Sequence, residues 1–444
     1  MSVPPSIIDR GEHFCIVGAG PSGLGTARAF VEAGIPFELF DRHDEVGGIW
    51  DLDNERTPMY ETAHFISSRT LSGFDGFPMP DDYPDYPGWR HIRDYLRAFA
   101  TRYDLRRHIH FRTSVERVAP AAEGRWDVTL STGETRRYAG VVLGVGHNWD
   151  ARLPAYPGCF DGEAYHSFHY RSPREFQGKR VLVVGGGNSG CDIACDAATH
   201  ADRAFISMRR GYRFLPKHIF GQPVDVFFRG GPHPPAWLAQ PLLAALLRLT
   251  VGDVARYGLQ PPDHKVLESH PIVNSQLLHH LAHGDITPKR DVAELRGRRV
   301  RFVDGSEEEV DLIVWATGYR ASIPCLDPAA LDGDGASPAA GIERALHGNL
   351  FARRHPTLFV VGHFETDGGA YPVISKQAAL VAAAIRARGR SAEAAARLDR
   401  LTSAPSPDLS GGIRHLPTER HSFYVQFEAY EKWLDGMRKK VERM

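Results

Sequence analysis

The feature that most limits how this chain can fold is a unit that occurs twice: a short apolar strand, a glycine-rich turn, a helix and a second strand. In the first copy Phe14 to Val17 is the apolar run and Gly18-Ala19-Gly20-Pro21-Ser22-Gly23 the turn. Leu24 to Ala33 has helical spacing, Gly34-Ile35-Pro36 stops it, and Phe37 to Phe40 forms a strand closed by Asp41. The second copy runs through Val181 to Val184, Gly185-Gly186-Gly187-Asn188-Ser189-Gly190, Cys191 to Thr199 and Ala204 to Ser207. Each is a β-α-β unit. Two copies far apart in the chain mean two nucleotide sites, not a short-period repeat array.

The turn residues follow from what a dinucleotide needs. Its pyrophosphate must approach main-chain N–H groups at a helix N-terminus. Gly18 makes the tight turn, Gly20 admits the phosphates, Ser22 lies in the loop, and Gly23 lets the helix pack on the strand. Asp41 ends the next strand, where a ribose hydroxyl needs an acceptor. A chance glycine-rich turn is the alternative. In the second unit Gly185, Gly187, Ser189 and Gly190 repeat the loop, but the strand runs into Arg209 and Arg210 instead of a carboxylate. Guanidinium groups bind a 2′-phosphate that a carboxylate would repel. The first site therefore suits FAD and the second NADPH; a solvated basic strand end is the other reading of the arginines.

The expected fold is α/β, with two Rossmann-like dinucleotide-binding domains. An NADPH domain (166–324) is inserted into a discontinuous FAD domain (1–165 and 325–444). The formal net charge of -1 gives no footprint for nucleic acid or an acidic membrane. The five cysteines include no C-x-x-C pair, and their odd number argues against a secreted disulfide framework. With no signal-like start, and with Ala236 to Val251 too interrupted to span a bilayer, a cytoplasmic enzyme is expected. His279, His280 and His283 lack the Glu of an H-E-x-x-H site, so no metal is expected. Thr70 to Pro87 is too rich in turn formers to be regular and is expected to cover a site. A hairpin is expected over Trp126 to Tyr138, a surface loop over Asp327 to Ala340, and an amphipathic helix packed on the body over Phe423 to Val441.

Just before the second glycine loop stands Phe160-x-Gly162-x-x-x-His166-x-x-x-Tyr170. It resembles the fingerprint of the flavin-containing monooxygenases; the related Baeyer–Villiger enzymes usually carry Trp at the last position. Gly47-Gly48-Ile49-Trp50 resembles the family's G-G-x-W, and Ala316-Thr317-Gly318-Tyr319 its A-T-G-Y. Gly146-His147 resembles the end of its A-T-G-H, with Gly144-Val145 in place of Ala-Thr. The resemblance implies FAD contacts at Gly48, Trp50, Val115 and Gln377, and NADPH contacts at Thr317 and Gly318. His166 is a candidate at the catalytic or domain interface, with a packed linker histidine as the alternative and no proton transfer assigned to it.

The reaction so implied uses NADPH and oxygen to oxygenate a nitrogen or sulfur of a small molecule through a flavin C4a-hydroperoxide. Baeyer–Villiger oxidation of a ketone and an uncoupled reductase or NADPH oxidase are the alternatives. One departure bears on that choice. The family's Y-x-x-L-x-T-N-x-x-K/R places an Asn near the flavin reaction centre; aligning Tyr60 and Arg69 without gaps puts Ile66 there. Ser67 and Ser68 are adjacent and could substitute, so Ile66, Ser67 and Ser68 are the candidate flavin-edge residues. Thr62 to Phe77 and Pro223 to Val251 are the candidate substrate-lining segments, and a homodimer is the default assembly.

Overall fold

The computed structural model of the chain describes residues 7–229, 234–332, 342 and 344–444. Both glycine-turn units fold as expected, each at the centre of its own sheet. In the first sheet the strands run Leu346–His347, Phe351–Ala352, Leu358–Val360, Gly140–Leu143, Phe14–Val17, Phe37–Phe40 and Ile109–His110. From Leu358–Val360 onward every pairing is parallel. Val17 lies level with Phe40 and Leu143, so the carboxyl ends of three strands open on one edge, where doubly wound sheets bind ligands.

Phe14–Val17, Phe37–Phe40 and Gly140–Leu143 are buried at every position, because both faces of the sheet are covered. Ile16, Leu39 and Val142 face a core shared with Leu24 and Phe30 of the helix Pro21–Ala33 and with Ile374 and Leu380 of the helix Ala370–Arg390. Cys15, Val17, Phe40 and Val141 face the opposite way, against Trp126, Val128 and Tyr138. Those belong to a side sheet that holds the expected hairpin, Trp126–Leu130 paired antiparallel with Thr135–Tyr138. The helix Pro21–Ala33 opens with Pro21 and closes on Gly34, whose φ of 67° makes a left-handed cap.

The second sheet is parallel throughout, in the order Glu163–His166, Leu312–Trp315, Arg180–Val184, Arg203–Ser207 and Ile286–Lys289. The helix Asn188–His200 covers one face. A side sheet of Gly158–Phe160, Val292–Gly297, Arg299–Phe302 and Glu307–Glu309 covers the other. The middle unit was expected to begin at 166. Strand pairing instead gives it Gly158–Phe160 and Glu163–His166, because the fingerprint segment is itself an edge strand. The two chain crossings run side by side, with Asp150–Ala151 antiparallel to Tyr319–Arg320.

Between Arg203–Ser207 and Ile286–Lys289 the chain builds a cap with its own small core of Leu215, Ile219, Val224, Leu243, Leu247, Val266 and Val273. The apolar segment forms the helix Ala236–Thr250, and among the described residues no helix is long and apolar enough to cross a membrane. The region Thr70 to Pro87 contains no element beyond the short helix Arg69–Ser72; its Phe74 and Phe77 pack on Tyr95 and Phe99. The terminal helix spans Phe427–Glu442 and buries Tyr430, Leu434, Met437 and Val441 at helical spacing. Tyr424–Val425 forms a strand beside Glu365–Thr366 rather than its first turn. In the loop expected from Asp327, Pro328–Asp332 is helical, and 333–340 lies outside the described residues.

Candidate active site

The first glycine loop is packed as tightly as the phosphate reading requires. A Cβ on Gly23 would stand 1.7 Å from the Gly18 carbonyl oxygen, and one on Gly18 (φ +99°) 2.7 Å from that of Gly144. Beyond the loop a cavity of about 530 Å³ opens along the carboxyl edge of the sheet, within the range of small-molecule and cofactor sites. Gly18, Gly20, Ser22, Asp41, Gly48, Trp50 and Val115 all line it, as do Ile66 and Ser67. Gly48 (φ +58°) comes from a separate turn and meets Gly20 face to face. Two bare backbones thus converge where a pyrophosphate would lie.

Asp41 ends its strand at this edge, but its carboxylate is already engaged. Oδ2 accepts from the Ala19 N–H at 2.5 Å and Oδ1 from the His43 N–H at 2.8 Å. Burial raises its pKa above the ordinary carboxylate value against the pull of those two donors. Asp41 therefore also braces the turn, a role the sequence did not suggest. Trp50 packs edge-on against Phe65 at 4.8 Å, and Phe65 against Tyr371 at 5.6 Å, giving the cavity an aromatic wall.

Gln377 differs from expectation. It is fully buried and does not line the cavity. Its Oε1 accepts from the Gly362 N–H at 2.9 Å, and its Nε2 donates to the Tyr430 hydroxyl, which in turn donates to the Gly348 carbonyl. Both ends of the amide are spent on the protein, so Gln377 acts one step behind the wall, holding Gly362 (φ +80°) against Ser22. Gly362 was missed in the sequence, although Val361-Gly362-His363 repeats the Val145-Gly146-His147 of the first crossing. His64, from the candidate lining segment Thr62 to Phe77, also lines the cavity, and Trp149, His270 and Glu365 do so without a sequence signal. Burial would raise the Glu365 carboxyl, but Arg420 and His147 hold it well below the usual carboxylate range. The buried Trp149 Nε1, His147 Nδ1 and His270 Nε2 have no protein partner, which fits a wall that meets a polar ligand.

The flavin-edge candidates separate. Ile66 lines the cavity and packs on its other side against the cap core, so its apolar character serves the junction between cap and wall. Ser67 lines the cavity, and its hydroxyl accepts from Ser72 Oγ at 2.7 Å. Ser68 does not line it: the residue is fully buried, its N–H donates to Asp225 and its hydroxyl has no partner.

The second loop repeats the first. A Cβ on Gly190 would lie 2.2 Å from the Gly185 carbonyl oxygen, and one on Gly185 2.1 Å from that of Ala316. Ala316 thus stands to Gly185 as Gly144 stands to Gly18. Nothing lies within 4 Å of a Cβ on Gly187 or Gly318, and Ser189 is exposed at the start of its helix, so this loop faces open space. Arg209 is exposed at the strand end; Arg210 is partly buried with its Nε unpartnered. The Thr317 hydroxyl donates to the Arg152 carbonyl and ties the two crossings together.

His166 is not a cavity residue. Its Nε2 reaches the Gly318 carbonyl at 3.0 Å, so that nitrogen carries the proton, and Nδ1 accepts from the Phe168 N–H at 3.1 Å. Burial pulls it down to about 4. With both nitrogens engaged inside the protein it anchors the second crossing, as a packed linker histidine would, and neither nitrogen is free to meet a reacting group.

Comparison with known proteins agrees with this geometry. Residues 11–393 match the model of the family described as flavin-binding monooxygenase-like. The chain is 30% identical over 390 residues to flavin-containing monooxygenase 5 of Homo sapiens, covering 82% of this chain and 72% of that protein. It is 32% identical over 393 residues to dimethylaniline monooxygenase (N-oxide-forming) 2 of Rattus norvegicus, covering 82% and 71%. In fold it is similar to cyclohexanone monooxygenase from Rhodococcus sp. Phi1 bound to NADP+, with a TM-score of 0.72 at 18% identity over 99% of each chain. With two glycine loops, the crossings behind them and a match over most of its length, this chain belongs to the flavin-binding monooxygenase-like family.

Proposed function

We propose that this chain uses NADPH and molecular oxygen to place one oxygen atom on a nitrogen or sulfur of a small molecule. The observation that carries the reading is the pairing of two glycine-loop units with opposite charge at their strand ends, Asp41 in the first and Arg209 in the second. They are joined so that His270 of the middle unit lines the cavity of the first. In this reading the two ends of the chain form the FAD domain and the middle unit the NADPH domain. Both relatives are named monooxygenases, and the name of one, N-oxide-forming, supports oxygenation at a heteroatom.

Bound FAD supplies the redox chemistry, linking the oxidation of NADPH to the activation of oxygen. The chain contributes binding, orientation and dryness. Gly18 would make the tight turn, Gly20 and Gly48 would let the main chain approach the FAD pyrophosphate, and Asp41 would share its carboxylate with a ribose hydroxyl. Gly187 and the start of the helix Asn188–His200 would hold the second pyrophosphate, and Arg209 the 2′-phosphate. Trp50, Phe65, Tyr371 and the cap-backed Ile66 form an apolar wall that keeps water from the reacting atoms. Tyr170 in place of a fingerprint Trp speaks against ketone oxidation.

One observation favours a second reading, an oxidase that releases hydrogen peroxide: Ile66 offers no hydrogen bond at the wall. Incubation with NADPH, ¹⁸O₂ and, separately, a dialkyl sulfide, a tertiary amine and a cyclic ketone decides between them. Labelled sulfoxide or N-oxide is expected; hydrogen peroxide equal to the NADPH consumed, with no labelled product, would leave the oxidase.

A further inference from the structure

Residues 60–68 run along the boundary between the two units and are tied to the middle unit at several points, among them the Glu61 N–H, which donates to the Arg171 carbonyl at 2.9 Å, and the Glu61 carboxylate, which accepts from the Ser172 hydroxyl at 2.8 Å. The Tyr60 hydroxyl donates to Asp192 Oδ2 at 3.4 Å and the Thr62 hydroxyl to Asp196 Oδ2 at 2.6 Å. The Ser68 N–H donates to Asp225 Oδ2 at 2.6 Å. One tie is different in kind, since the Lys217 ammonium meets the His64 imidazole at Nε2. His64 and the three residues after it, Phe65, Ile66 and Ser67, line the cavity.

The chemistry of this pair is determined by its surroundings. His64 Nδ1 lies 3.1 Å from the Thr62 carbonyl oxygen, which can only accept, so Nδ1 carries the ring proton and Nε2 accepts a hydrogen bond from the ammonium. Lys217 is partly buried, and a buried ammonium is costly unless hydrogen-bonded. Its near partners are the imidazole and the Tyr86 ring, whose centroid lies 5.3 Å from Nζ, with the Asp192 charge acting from further off. The main chain beneath it is held: its N–H donates to Ser275 Oγ at 3.1 Å, and its carbonyl accepts from the Tyr86 hydroxyl and from the Val224 N–H at 2.9 Å. A cation on so fixed a base, turned to one cavity-lining histidine, does more than cover surface.

We propose that Lys217 is a positioning residue for the oxygenation site: from the middle unit it pins His64, and through His64 it holds Phe65, Ile66 and Ser67 at the cavity wall. The proposal rests on the assignment of that cavity to the flavin. It also supplies what the wall lacks in its own sequence. The Ile66 side chain makes no hydrogen bond and is seated by packing on the cap core, so its setting also depends on how the neighbouring residues of the segment are held.

The test uses the flavin-loaded full chain as wild type, Lys217→Met, Lys217→Arg, His64→Phe and the double variant Lys217→Met/His64→Phe. Two quantities are read: amide hydrogen exchange over residues 64–68, and oxygenated product formed per NADPH consumed. Lys217→Met should speed exchange in that segment and lower product yield by about 3- to 10-fold, less than the full weight of a charge-assisted hydrogen bond because the segment keeps its other ties. Lys217→Arg, which keeps the charge and donors, should restore both to within about 2-fold. The double variant should be no worse than either single one, because both remove the same contact. Wild-type exchange in Lys217→Met, failure of Lys217→Arg to do better than Lys217→Met, or effects that multiply in the double variant would each overturn the proposal. If the wild type forms no oxygenated product, the functional reading fails by itself, while the exchange data still decide the role of Lys217.

Discussion

Gly48 stands so close to Gly20 across the cavity floor that a Cβ on Gly48 would lie 2.8 Å from the Gly20 Cα. One glycine belongs to the first loop and the other to a turn after the second strand, so the phosphate cradle has two sides. Gly20→Leu should therefore yield protein with little bound flavin. Gly48→Ala should do nearly the same, since it adds a positive-φ strain of about 1 kcal/mol or more to the collision. The ratio of visible to ultraviolet absorbance of the purified variants measures this; full flavin content in both would show that the cradle is elsewhere.

The two arginines at the second strand end should not contribute equally. Arg209 is exposed toward open space, whereas Arg210 is partly buried with one nitrogen unpartnered. Arg209→Gln should raise the KM for NADPH by about 10- to 100-fold with little change for NADH, the loss of a charged hydrogen bond. Arg210→Gln should have the smaller effect. Steady-state kinetics with both nucleotides checks the order; a double variant with unchanged NADPH kinetics would remove the 2′-phosphate role.

The three flavin-edge candidates now have separate expectations. Ser68→Ala should leave the ratio of hydrogen peroxide to NADPH unchanged, because Ser68 is walled off from the cavity. Ser67→Ala should raise it, because Ser67 is part of the wall. Ile66→Asn would bring an amide to the flavin edge at the cost of apolar contact with the cap core, so better coupling should come with a stability loss of about 1–3 kcal/mol. Peroxide assays beside denaturant melts separate the two effects.

Acid should destabilise this protein through its buried histidines. Burial pulls His166 and His421 down to about 4, and His270 and His363 to about 3, against an unfolded value near 6.5. Between about pH 6.5 and 4 the unfolded chain binds protons that the native one refuses, so stability falls as pH falls, by up to about 1.4 kcal/mol per pH unit for each histidine. His363→Phe deletes one such site in an aromatic setting, 5.0 Å from the Phe423 ring. It should flatten the decline seen in urea melts between pH 7 and 5; a slope equal to that of wild type would show that His363 does not titrate in this way.

Much of the architecture was legible in local patterns. A glycine whose Cβ would strike a carbonyl one turn away is demanded by the geometry of a strand–turn–helix, and that demand is confined to six consecutive residues. For the same reason the two loops, the hairpin and the terminal helix could be read from spacing alone. What local pattern could not reveal was which distant segment completes each site. Leu358–Val360 and the helix Ala370–Arg390 return to the first sheet from beyond the whole middle unit. Only that return shows that Gln377 braces Gly362 instead of facing the cavity. His166 and Ser68 likewise carry side chains able to do chemistry, but chain packing turned them inward, whereas Ser67, one residue away, faces the cavity. Lys217 gave no signal at all, because its partner His64 lies 153 residues before it and the contact exists only once the two units are packed together. Spacing along the chain encodes backbone geometry over a turn or a strand; the meeting of side chains from separate units is decided by how those units bury their surfaces against each other.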